Sequence, residues 1–72
     1  MTPTQCRMAR AGLRVSLDEI SEASLVSKST ITRFESGKEI NPVLHRALQA
    51  HLEQLGAVFP ENGVRFREGE LA

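Results

Sequence analysis

The chain has 72 residues, 40% of them apolar and 25% charged, with nine cations balanced by nine acids. A chain this short can bury only about 60% of the surface its unfolded form exposes, so it is read as one small globular unit with a small core. No apolar run approaches the roughly 18 residues that span a bilayer, and Met1-Thr2-Pro3-Thr4 lacks the basic and then apolar pattern of a secretory signal, so no membrane partner and a cytoplasmic location are expected.

Thr2-Pro3-Thr4-Gln5 combines a cap, a proline at the first helical position and a glutamine three residues after the cap, which predicts a first helix from Pro3. Gly12 is expected to stop it. Cys6, Ala9 and Leu13 recur at the spacing of a buried stripe, so Cys6 reads as plain core, and a lone cysteine forms no internal disulfide. Ser16-Leu17-Asp18-Glu19 repeats the capping logic and predicts a second helix from Leu17 to about Ala23. Ser27 is a good cap and Gly37 a good left-handed stop for a third helix. With only Ser24, Leu25 and Val26 between them, the second and third helices must meet at a steep angle, as in a helix-turn-helix.

Asn41-Pro42 opens a fourth helix, in which Leu44, Leu48, Leu52 and Leu55 form one apolar stripe before Gly56. The period then changes. Val58 and Phe59, the turn Pro60-Glu61-Asn62-Gly63, and Val64 to Arg67 predict a short hairpin, which must lie on the helices or pair with a second copy because two strands alone are marginal in water. Residues 68–72 are expected to fray. The expected organisation is a mainly helical bundle of four or five helices over residues 1–56, followed by a hairpin and tail over 57–72 that could serve dimerisation through Val58, Val64 and Phe66.

The third helix carries the chemistry. At 100° per residue, Ile31 and Phe34 point one way with Glu35 near them, while Lys28, Ser29, Thr32 and Arg33 share the other face, with no acid among the four. Lys28 and Arg33 can donate to guanine O6 and N7; Thr32 and Ser29 can bond several base edges. Ser16 and Ser27 cap helices whose first-turn amides can bind phosphate. The charge is divided: residues 1–38 hold six cations against four acids, and residues 39–72 three cations against five acids. A nucleic-acid partner would therefore face the first half, with a modest field and a shallow salt dependence. His45 and His51 stand six apart, about 120° from facing the same way on a helix, so neither a metal site nor a catalytic role is expected of them. No nucleophile motif or paired carboxylate points to an enzyme, and no cofactor or small-molecule ligand is expected.

From Arg7 to Gly37, and most closely over Val26-Ser27-Lys28-Ser29-Thr30-Ile31-Thr32-Arg33-Phe34-Glu35-Ser36-Gly37, the chain resembles the Cro/CI-type helix-turn-helix of the XRE family. The resemblance implies a lambda-repressor-like bundle whose third helix enters the major groove, and dimers that read half-sites about one helical turn, roughly 34 Å, apart. It implies base reading by Lys28, Ser29, Thr32 and Arg33, phosphate contacts from Ser27, Ser36 and Lys38, and a structural pair between Arg10 and Glu35 that is expected to be partly buried. Three departures stand out: Leu17 replaces the glutamine common at the start of the second helix, Leu25 replaces the usual turn glycine, and Ser21 fits the small position inside the second helix by size but adds a hydroxyl, expected to bond a carbonyl four residues back.

These features lead to the expectation of a homodimeric transcriptional repressor that occludes a promoter by binding a double-stranded operator of two-fold symmetry. A protein-interaction module of the antitoxin kind, autoregulating through the same helix, is the alternative that the acidic second half favours. A DNA-bending factor is a weaker third, since it commonly needs a basic surplus or a minor-groove wing.

Overall fold

Thr2 and Ser16 each form a capping box. Thr2 accepts the Gln5 amide at 3.1 Å while Gln5 Oε1 takes the Thr2 amide at 2.8 Å, and Ser16 and Glu19 do the same at 3.1 and 3.0 Å. These boxes satisfy amides that a helix start leaves unpaired. In the computed structural model, which describes residues 1–67, they open α1 (Pro3–Leu13) and α2 (Leu17–Ser24). Ser27 caps α3 (Lys28–Glu35), and Asn41 caps α4 (Pro42–Gln54), with Pro42 in its first turn. A two-stranded antiparallel sheet follows, β1 (Ala57–Val58) with β2 (Arg65–Phe66), in the register Ala57 to Phe66 and Val58 to Arg65. The protein is thus mainly helical, with four helices and one small sheet among the described residues. The fraying expected of residues 68–72 lies outside them.

Each helix turns its apolar stripe inward. Cys6 and Ala9 from α1, Ile20 from α2, Val26 from the turn, Ile31 and Phe34 from α3, Leu48 and Leu52 from α4 and Ala57 from β1 make one buried cluster. Leu44, at one end of the predicted α4 stripe, is only partly buried against it. The Phe34 ring also meets His45 of α4, with centroids 4.8 Å apart. Leu17 packs against the same cluster. An apolar residue at this helix start therefore serves packing.

Gly12 does not stop α1, which runs on to Leu13 and ends with Arg14 in the left-handed region at φ 58°. The glycine is there for space: a Cβ at position 12 would overlap the ring of Phe66 on β2. The hairpin thus lies on the helices. It is also shorter than expected and shifted, beginning at Ala57 and leaving Phe59 and Val64 outside the strands. Gln5, 5% exposed, fastens its turn to α1 by donating from Nε2 to the carbonyls of Pro60 at 2.7 Å and Gly63 at 2.9 Å. With Ala57 in the core as well, the division expected after Gly56 is not a packing boundary.

Candidate nucleic-acid interface

Three residues, Leu25, Val26 and Ser27, join α2 to α3. Leu25 adopts φ 62° and ψ 22°, the left-handed turn that glycine takes most easily, and its side chain is 87% exposed. Val26 beside it is buried and anchors the turn in the core. At the far end of α3, Gly37 at φ 98° lets the Lys38 amide return to the Arg33 carbonyl at 3.0 Å. Both ends of α3 are thereby fixed.

Ile31 and Phe34 bury one side of α3. Lys28, Ser29, Thr32 and Arg33 are all exposed on the other. The helix therefore presents two cations and two hydroxyls to solvent from a backbone held by packing. Its first turn holds no acid.

Lys28 has a partner that sequence spacing did not disclose. Its Nζ lies 2.7 Å from Oδ1 of Asp18, in the first turn of α2, with side chains 59% and 77% exposed. The hydrogen bond and charge of Asp18 raise the Lys28 pKa. No helical repeat links positions ten apart across a turn. The contact arises because the packing of the two helices brings the start of α3 back beside the first turn of α2.

The residues expected to meet phosphate differ in readiness. The Ser27 hydroxyl lies 2.8 Å from Thr30 Oγ1, to which it donates, and 3.2 Å from the Ser29 hydroxyl, and it accepts the Thr30 amide. Ser36 donates to the Thr32 carbonyl at 2.8 Å. Phosphate would have to compete for both hydroxyl protons. At Ser16 the backbone amide is already given to the Glu19 carboxylate, whose pKa is lowered by that backbone bond and by the Ser16 hydroxyl. An anion there would meet an acid first. Lys38 is exposed beyond the end of α3.

Beneath the helix, Arg10 of α1 grips Glu35 with both prongs, Nε to Oε2 at 2.7 Å and Nη2 to Oε1 at 2.8 Å, and also reaches the Val15 carbonyl at 3.3 Å. The side chains are 19% and 9% exposed, so the pair is partly buried. Cys6 is core but not plain core, because its thiol donates to Glu35 Oε2 at 3.2 Å. Burial, followed by the bond to Glu35 and its negative charge, pushes the Cys6 thiol up to about 12. Burial alone would raise the Glu35 carboxyl, but hydrogen bonds from Arg10 and Cys6 and the nearby positive charge outweigh it and hold the pKa below its ordinary value. The bond to Glu35 raises the Arg10 pKa against the opposing effect of burial.

Of the three residues expected at a dimer contact, Val64 and Phe66 are packed against the chain's own core, and Val58 is exposed. No group of three or more potential ligands that could hold a metal ion occurs among the described residues. No helix among them is long and apolar enough to cross a membrane. No known family model matches the chain, and no curated protein is significantly similar to it.

Proposed function

We propose that this protein is a sequence-specific DNA-binding regulator with a lambda-repressor-like, Cro/CI-type helix-turn-helix, in which α3 occupies the major groove of a double-stranded operator. One observation carries the reading: Lys28, Ser29, Thr32 and Arg33 stand exposed together on a helix whose opposite side is anchored by buried Ile31 and Phe34. A rigid helix with donors along one face suits base reading, because each good bidentate contact discriminates by about 1–3 kcal/mol only when the donor is held in register. Lys38, exposed past the helix end, adds a phosphate contact that positions without specifying.

The protein acts in the cytoplasm as a homodimeric repressor, two copies covering two half-sites and occluding a promoter. Since Val64 and Phe66 face inward, Val58 is the residue of the expected trio that is open to a second copy. Selection of bound sequences from a random DNA pool tests the whole reading. A two-fold symmetric motif is expected. A single asymmetric site would remove the dimer from the proposal, and no enriched sequence at all would remove the DNA-binding function.

A further inference from the structure

We propose that Asp18 and Lys28 form one reading unit that recognises a G·C base pair, with Asp18 serving as a specificity-determining residue rather than as a solvent-facing acid; the inference rests on the DNA-binding function proposed above. The ion pair at 2.7 Å joins the first turns of α2 and α3, and both side chains remain well exposed. A lysine on a flexible stem is a point charge that serves any phosphate equally well. Pairing it with a carboxylate changes what it can bind. Phosphate approaching Lys28 meets the charge of Asp18 beside it, so the attraction that drives non-specific binding is largely cancelled at this position.

The joined groups offer donors and an acceptor side by side. In the major groove, a G·C pair presents N7 and O6 of guanine as acceptors next to the N4 amino donor of cytosine. The ammonium matches the first two and the carboxylate the third. An A·T pair met in the same register, with the ammonium between N7 and N6, sets the ammonium against the N6 amino donor and leaves the carboxylate facing the O4 of thymine. The pair therefore selects by repulsion as well as attraction. The same arrangement fits a chain with no net charge, which has little general attraction for DNA and must rely on selective contacts.

The test compares the full-length protein with Asp18→Asn, Asp18→Ser, Lys28→Gln and the double variant Asp18→Asn/Lys28→Gln, using selection from a random DNA pool and binding to one non-selected duplex over a range of salt. Asp18→Ser retains a helix-compatible first-turn residue, so both Asp18 variants fold, as circular dichroism will register. Both are expected to lose about tenfold in preference for G·C at one position. Their log-log salt slope on the non-selected duplex is expected to steepen by about 0.9, as the freed lysine takes a phosphate. Neither change is expected in the Lys28→Gln background. An unchanged motif and slope in the Asp18 variants would overturn the reading unit while leaving DNA recognition standing. A loss that persists without Lys28 would overturn it too, since Asp18 would then act through the helix rather than through the pair. Failure of the unsubstituted protein to enrich any sequence would overturn the proposed function and this inference with it.

Discussion

Arg10 and Glu35 tie α1 to the last turn of α3 through two hydrogen bonds of 2.7 and 2.8 Å, so the helix with the exposed polar face is braced from behind by a partly buried ion pair. Removing one member strands the other. Arg10→Ala is expected to cost about 2–3 kcal/mol, below the roughly 3–5 of a fully buried pair and above the ~1 of an exposed one. For a domain of this size that is a fall of about 4–8 °C in melting temperature per kcal/mol. An unchanged calorimetric midpoint would show that the pair does no structural work.

The pH dependence has two limbs. Glu35 has a folded-state pKa below its ordinary 4.5, so its contribution is present above that value and is lost as pH falls through the folded pKa. Glu35→Gln should flatten this acid limb. Cys6 is shifted the opposite way, from 9.0 to about 12, so its contribution is complete below 9.0 and lost as pH rises toward 12. Denaturant titrations at a series of pH values will register both limbs. In the folded protein the neutral, buried thiol should resist iodoacetamide at pH 8 and react once the chain is unfolded; rapid alkylation of the native protein would contradict this.

Gly12→Ala reverses a general rule. In a helix the change usually stabilises by about 0.5–1 kcal/mol. Here the new methyl group overlaps the Phe66 ring, and displacing it is expected to destabilise by about 1–3 kcal/mol. Chemical denaturation measures the sign, and Phe66→Leu in the Gly12→Ala background should recover part of the loss. A stabilised single variant would mean that the ring yields freely.

Leu25→Gly should stabilise. A left-handed non-glycine residue costs roughly 1–2 kcal/mol, of which glycine returns part through its looser unfolded state, leaving a gain of up to about 1 kcal/mol. The side chain is almost wholly exposed, so little packing is lost with it. A lower denaturation midpoint would show that the leucine makes a contact of its own.

On DNA, Arg33→Ala is expected to relax preference at one base position, because a base contact is lost. Lys38→Ala should weaken all sequences alike and reduce the salt slope by about one. Competition binding at several ionic strengths separates the two. Equal behaviour of the two variants would refute the division between a base-reading face and a phosphate contact.

What could be read along the chain was whatever local chemistry decides. Thr2 with Gln5, Ser16 with Glu19, Ser27 and Asn41 announce the four helix starts because a cap needs only its own first turn. Ile31 and Phe34 announce the buried side of α3 by period, and so the opposite face with it. Gly12 was misread because the same residue type serves as a stop signal and as a hollow for a ring, and the ring belongs to a residue far along the chain. Gln5 showed its role in the cap but not its grip on the turn at Pro60 and Gly63. Asp18 sits in the first turn of α2, where an acid favours a helix start by charge alone, and no local pattern ties it to Lys28, ten positions away.

The clasp from Gln5 to Pro60 and Gly63 spans 55 and 58 positions of sequence. During synthesis, α1 emerges long before the carbonyls that will receive its amide nitrogen exist. α1 must therefore wait, with one polar group still hydrated and the hollow at Gly12 still empty, until the turn at Pro60 to Gly63 and β2 arrive to close both. Completion of this fold thus awaits the synthesis of Phe66, and a nascent chain halted before that residue would keep α1 half dressed.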